Sequence, residues 1–96
     1  YYDFADHHAR QDEILDDARY KINGPRAKDY GDAWENHQNV ARTWSVILKK
    51  DVSVNEVYLC LLALKMCRLI VTPHHEDTAV DICGYGALLG EGKTKG

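Results

Sequence analysis

The segment from residue 54 to residue 71 constrains the fold more than any other part of the chain. Between residues 58 and 71 the only charged side chains are Lys65 and Arg68. Ser53 and Glu56 precede this segment with the Ser-x-x-Glu spacing of a capping box, which predicts the start of a helix. A helix that is apolar nearly all round belongs at the centre of a fold or of an oligomer.

The rest of the chain also reads as helical, because no segment shows sustained alternation of apolar and polar residues. Asn23 and Gly24 form a helix stop, Asp32 and Glu35 have the spacing of a second capping box, and Thr72-Pro73 ends the apolar helix. We therefore predict an all-α fold in one domain, residues 1–96, in the form of a four-helix bundle completed by oligomerisation. The expected helices cover residues 6–23, 33–48, 54–71 and 77–89, followed by a mobile tail at 90–96.

The composition narrows the function classes. The chain has 96 residues, of which 45% are hydrophobic and 28% are charged, with a net charge of −3. This charge argues against a general nucleic-acid binder, and no apolar run is long enough to span a membrane. An odd number of cysteines in apolar segments predicts buried thiols in a reducing cytoplasm. A chain this small gains stability from a partner, so we expect a homo-oligomer, a dimer or a tetramer.

Charged residues lie where the third and fourth helices should be apolar. Lys65 and Arg68 are three residues apart, and Asp77 and Asp81 are four residues apart, so each pair shares a helix face. The short connection between the helices predicts antiparallel packing, which sets the two cations opposite the two anions. The pairs are either a ladder that fixes helix register or a site for a polar ligand such as a phosphate or a metal ion.

Two features could complete such a site. Asp77 and Asp81 have the chemistry to hold Mg²⁺, which takes one or two carboxylates and keeps waters and substrate phosphates. The loop before the second helix offers Lys28 and Tyr30, which are suited to a phosphate and a base. Acidic residues of the first helix either add a third metal ligand or form a solvated face; these are Glu13, Asp16 and Asp17.

Several of these residues occur in an order that resembles a known family. The loop and helix start read Lys28-Asp29-Tyr30-Gly31-Asp32-Ala33-Trp34-Glu35-Asn36; Trp44, Lys65-x-x-Arg68 and Asp77-x-x-x-Asp81-x-x-x-Tyr85 follow. This pattern resembles small phage and prophage domains of unknown function with a DYG loop, which are related to nucleotide-modification-associated proteins. The architecture also resembles the MazG-like all-α nucleoside triphosphate pyrophosphohydrolases, which are Mg²⁺-dependent oligomers. The Glu-Glu-x-x-Glu motif of those enzymes is absent from this chain.

The resemblance implies a nucleotide or another phosphate-bearing small molecule as the ligand. It also implies the cytoplasm of a bacterium, phage-infected or not, as the location. In a pyrophosphohydrolase relative, Asp77 and Asp81 would be catalytic and bind Mg²⁺. Three cations would neutralise phosphate charge, and Tyr30 or Tyr85 would contact the base or sugar; the cations are Lys28, Lys65 and Arg68. Two alternatives stay open: a non-catalytic protein that binds or sequesters a nucleotide, and a structural or interaction protein in which the charges only fix register.

Overall fold

The computed structural model of the chain describes residues 4–24 and 33–92, with side chains from residue 10 onward. Four α-helices make up nearly all of this part, and the described residues contain no strand. In chain order the helices are α1, Phe4–Asn23; α2, Ala33–Leu48; α3, Val54–Val71; and α4, Glu76–Glu91. The bounds of α2 and α3 coincide with those expected from the sequence. The helix α1 begins two residues earlier than expected, and α4 begins one residue earlier and ends two residues later.

The ends of α3 and α4 are fixed by local hydrogen bonds. The Ser53 hydroxyl accepts from the Glu56 backbone N–H at 3.1 Å, and the Glu56 carboxylate accepts from the Ser53 N–H at 2.9 Å. This is the expected capping box, and these hydrogen bonds hold the pKa of Glu56 below its ordinary value. The helix α4 ends at Gly92, whose φ of 65° lies in the left-handed region that glycine adopts without steric cost.

The helices pack in an open row, in the order α1, α4, α3, α2. The helix α4 packs extensively against both α1 and α3, and α3 packs in turn against α2. The two hairpins, α2–α3 and α3–α4, are antiparallel because their connections are short. By contrast α1 and α4 run in the same direction, since Arg10 pairs with Glu76 and Lys21 with Asp81. In this order α4 lies between α1 and α3 and packs against both.

A small core lies along the seams of this row. Its buried side chains are Ala18, Ala41, Val57, Tyr58, Thr78 and Val80. Gly84 of α4 lies beside Ile22 of α1, and a Cβ atom built there would make only an ordinary van der Waals contact, 3.9 Å from the Cδ1 atom of Ile22. Each seam therefore depends on a few well-packed side chains rather than on a thick apolar layer.

Two predictions from the sequence concern the apolar segments, one on the burial of the thiols and one on membrane spans. The prediction of buried thiols is wrong for α3, where Cys60 and Cys67 are exposed; Cys83 on α4 is half-buried. The physical reason is that α3 is apolar on two faces, and the row of helices covers one of them. In the described ranges no helix combines the length and apolar character needed to cross a membrane.

Candidate functional site: a lysine–aspartate cluster on α4

The α3–α4 hairpin brings Lys65 and Asp81 together as the sequence predicts. The connection turns sharply, with Thr72 N–H bonded to the Arg68 carbonyl and His74 in the left-handed region at φ 69°. The ammonium of Lys65 then donates to Oδ2 of Asp81 at 3.0 Å. Both side chains are largely buried, at 22% and 24% exposure, so this is a partly desolvated ion pair.

A second lysine, from α1, completes the cluster. The ammonium of Lys21, in the last turn of α1, donates to Oδ1 of Asp81 at 3.0 Å. Each carboxylate oxygen of Asp81 therefore accepts from a different lysine and a different helix. Sequence reasoning did not find Lys21, because its place depends on how α1 docks against α4.

The protonation state of Asp81 follows from these contacts. Burial acts to raise the pKa of its carboxyl, but the hydrogen bonds from Lys65 and Lys21 outweigh it and hold the pKa below its ordinary value. Asp81 is therefore ionised at neutral pH, and the two ammonium groups share a single negative charge. The cluster carries a surplus positive charge on a chain whose net charge is −3.

The other two members of the predicted ladder do not join the cluster. Arg68 and Asp77 are exposed, and neither forms an ion pair with another described residue. In the first turn of α4 it is Glu76, not Asp77, that pairs, with Arg10 of α1 at 2.9 Å. The expectation of two cations facing two anions is thus wrong in its second half, because the hairpin brings only Lys65 and Asp81 into register.

Tyr85 lies one turn beyond Asp81 on α4, inside an aromatic group. Its ring centroid is 5.8 Å from that of His37 on α2, in an edge-to-face arrangement, and 6.4 Å from that of Tyr58 on α3. His37 and Tyr58 are 4.9 Å apart, and the His37 Nδ1 atom bonds the Ala33 carbonyl at 2.6 Å. These rings continue the seam of α4 from the charged cluster towards α2.

His75 caps α4, a role that sequence reasoning missed. Its Nδ1 atom accepts from the backbone N–H of Thr78 at 3.3 Å and lies 2.8 Å from the Thr78 hydroxyl. The signal that could have found it is its position just before the helix with Thr78 three residues on, the spacing of an N-cap. This cap holds the helix that carries Asp81 and Tyr85.

The remaining predicted ligands have separate outcomes. Lys28 and Tyr30 lie outside the described residues. Asp16 pairs with Arg19 on the exposed side of α1, at 3.2 Å. Across residues 10–24 and 33–92, no group of three or more histidine, cysteine or acidic side chains is placed to hold a metal ion.

A cavity of about 430 Å³ lies elsewhere, between α2 and the start of α3. Its walls include Trp34, Gln38, Arg42 and Val52, and it shares no residue with the lysine–aspartate cluster. Trp34 belongs to the resemblance described above, but the charged residues that carry the predicted chemistry are on α3 and α4. The cluster, not this cavity, is therefore the better candidate for the site.

The geometry defines a class of protein: an all-helical protein with a half-buried cationic cluster that joins three helices. Comparison with known proteins identifies the family of the chain. Residues 13–93 match DUF6378, a domain of unknown function, and the chain belongs to this family.

Two curated relatives are encoded by mycobacteriophages. The chain is 40% identical over 77 residues to the Gene 55 protein of Mycobacterium phage L5. The matched segment covers 79% of this chain and 49% of that protein. It is 34% identical over 78 residues to the Gene 55 protein of Mycobacterium phage D29, covering 81% of this chain and 52% of the relative. The chain thus spans about half the length of these relatives. No solved structure matches it significantly.

Proposed function

We propose that this chain is a non-catalytic nucleotide-binding protein that holds a phosphate group at Lys21 and Lys65. The observation that carries the proposal is the sharing of one carboxylate by two ammonium groups, that of the largely buried Lys65 and that of Lys21, which is 43% exposed. A phosphate beside the two lysines would balance the surplus charge through charge-assisted hydrogen bonds. Asp81 holds both ammonium groups in place for it.

Neighbouring residues extend the proposed site. Arg68 lies three residues from Lys65 on α3 and is exposed, so its guanidinium has room to reach a second phosphate oxygen. Tyr85, one turn from Asp81, supplies an aromatic surface for the base or sugar. Lys28 and Tyr30 of the loop before α2 remain part of the proposal from the sequence pattern alone.

Binding is favoured over hydrolysis by the donor set. A Mg²⁺-dependent pyrophosphohydrolase would need the oxygens of Asp77 and Asp81 for the metal ion. Both oxygens of Asp81 already accept from lysines, which leaves Asp77 as the carboxylate open to solvent on that turn. A relation to the MazG-like enzymes, and a place in phage nucleotide metabolism, belong to the same proposal and rest on the motif resemblance.

A second candidate, a structural or interaction protein, is favoured by a different observation. The helix α3 exposes large apolar side chains along one whole face, as monomeric proteins seldom do. Under this candidate, the lysine–aspartate cluster only fixes the register of three helices. The two candidate functions differ in whether the lysine–aspartate cluster binds a ligand.

The test measures melting temperature and nucleotide binding with each common nucleoside and deoxynucleoside triphosphate, with EDTA and then with Mg²⁺. We expect one nucleotide to raise the melting temperature without Mg²⁺ and to release no pyrophosphate. The double variant Lys65→Met with Asp81→Leu should stay folded, because apolar residues replace the ion pair, and should lose at least tenfold in affinity. Arg19→Met is the matched control, since it removes an exposed cation on α1 that pairs only locally.

Two outcomes would contradict the proposal. Pyrophosphate release that requires Mg²⁺ and disappears in Asp81→Asn would establish the hydrolase instead. Unchanged nucleotide affinity in the folded double variant would remove the cluster as the site. If no nucleotide binds to the wild type, the structural candidate is favoured.

A further inference from the structure

The exposed side of α3 forms a continuous apolar surface, which we call the α3 outer face. Its residues are Leu59, Cys60, Ala63, Leu64, Met66, Cys67, Ile70 and Val71. All eight are exposed, and the exposure reaches 64% at Leu64 and 80% at Ile70. No charged residue is among them.

The spacing of these residues makes one stripe. They form two adjacent rows, 59-63-66-70 and 60-64-67-71, each with the alternating four- and three-residue steps of a helix–helix seam. At 100° per residue the stripe is centred on the side of α3 opposite Tyr58 and Lys65, which face α2 and α4. The outer face is therefore a second packing surface on a helix whose first surface is already used.

The row of helices leaves this face uncovered. Extensive packing links α1 to α4, α4 to α3 and α3 to α2. A closed arrangement would bring α1 or α2 round to the far side of α3, but α1 is held on α4 by its ion pairs at Arg10 and Lys21. Within the described ranges no helix is left over to cover the outer face.

The accessible surface of the whole chain is larger than that of a compact monomer of the same mass. The accessible surface is 7,097 Å². A folded monomer of this mass exposes about 5,600 Å² according to the usual scaling with mass, so the excess is about 1,500 Å². The radius of gyration, 15.5 Å, likewise exceeds the roughly 12.5 Å of a compact domain of this length. Each protomer of a permanent homodimer buries about 1,000 Å² or more, which the excess matches.

We infer that a second copy of this chain covers the α3 outer face, forming a two-fold symmetric dimer with α3 of each protomer at its centre. Two copies of one uncharged apolar face are complementary to each other, and a two-fold axis joins the same patch on both subunits. Apolar interface cores of this kind are typical of homodimers. The inference is independent of the nucleotide proposal, because the outer face faces away from Lys65.

The first experiment is sedimentation equilibrium of the wild type between about 1 and 100 μM. We expect the mass of a dimer, and in Leu64→Lys at least a hundredfold weaker association, since a charge in the centre of the stripe would be buried without a partner. Leu15→Lys is the matched control: Leu15 is also an exposed leucine, 53% accessible, but lies on α1. It should leave the dimer intact, and far-UV circular dichroism should show that both variants fold.

Cysteine alkylation is a second readout on the same samples. Cys60 and Cys67 lie in the outer face and are exposed in the single chain, so the dimer should protect them and Leu64→Lys should expose them. Cys83 on α4 serves as the internal reference. A wild-type monomer at 100 μM, or a dimer that persists in Leu64→Lys with both thiols reactive, would overturn the inference.

Discussion

The two faces of α3 reverse the usual relation between polarity and burial. The inner face, towards α2 and α4, buries Tyr58 but also places the Lys65 ammonium in a largely buried ion pair. The outer face exposes Leu64 and Ile70 to solvent. In one chain, Lys65 is therefore less accessible than Leu64 and Ile70 of the same helix. The difference teaches that the fold of a single copy decides which face is covered, and that apolar character alone does not.

Each face has its own energetic requirement. The inner face can hold Lys65 because the Asp81 carboxylate accepts a hydrogen bond from its ammonium. Without that carboxylate the ammonium would be desolvated with no compensating charge. The side chains of the outer face carry no charge, and the cost of exposing them is the hydration of hydrocarbon. The first requirement is met within the chain, whereas the second is met only by another surface.

The largest expected effect comes from the apolar part of the inner face. Tyr58→Ala should lower the free energy of unfolding by about 3–5 kcal/mol, because it removes a fully buried ring between α2 and α4. Denaturant titration would measure the same loss at every protein concentration. Leu64→Ala on the outer face should behave differently, with a cost that grows as protein concentration rises, since that side chain acts through association. If Tyr58→Ala and Leu64→Ala lowered the free energy of unfolding equally and independently of protein concentration, the distinction between the two faces would be wrong.

The ion pair should give an intermediate effect. Asp81→Asn should destabilise the chain by about 1–3 kcal/mol, because it weakens two charge-assisted hydrogen bonds, a largely buried one from Lys65 and a more exposed one from Lys21. Asp16→Asn is the control, as it removes an equivalent charge from an exposed pair on α1 and should change stability by less than about 0.5 kcal/mol. Chemical unfolding of both variants at neutral pH makes the measurement.

The pH dependence checks the cause. The pKa of Asp81 is lower in the folded chain than its ordinary value, so its contribution is fully present above the unfolded pKa, about 3.9, and is lost as pH falls through the folded value. The stability difference between wild type and Asp81→Asn should therefore shrink below about pH 4. A difference that stays constant to pH 2 would mean that the variant acts through packing and not through charge.

The smallest effect should come from the start of α3, which both faces share. Ser53→Ala removes the hydroxyl that accepts the Glu56 N–H and should cost about 1 kcal/mol. Because the cap acts on the helix backbone, the change should leave the dimer dissociation constant within about twofold of the wild-type value. Thermal unfolding and sedimentation on one preparation give both numbers, and Ser53→Asp, which keeps an acceptor, should restore the stability.

The sequence predicted well what depends on neighbours along the chain. The capping box of Ser53 and Glu56 is a four-residue pattern, and the Lys65–Asp81 pair follows from helix spacing on both sides of a short turn. The all-helical fold follows from the absence of alternation and from clear stop signals. Each of these inferences uses geometry that a few consecutive residues determine.

It predicted poorly what depends on distant parts of the chain or on another copy. Lys21 carries no local signal of its partner, since the last turn of a helix commonly ends in a lysine and Asp81 is 60 residues away. Arg68 and Asp77 share helix faces with the paired residues, but the hairpin register decides which members meet. The exposure of Cys60 and Cys67 was missed because an apolar segment does not say which of its faces the chain itself covers.

The Lys21–Asp81 contact also orders the assembly of the fold in time. The hairpins α2–α3 and α3–α4 close over a few residues, whereas this contact closes a loop of 60 residues and must overcome more chain entropy. We therefore expect α1 to dock last, onto a hairpin already formed, and to detach first in native fluctuations. In hydrogen exchange its amides should lose protection before those of α3. The same lysine that completes the cationic cluster thus marks the part of the chain that opens most often.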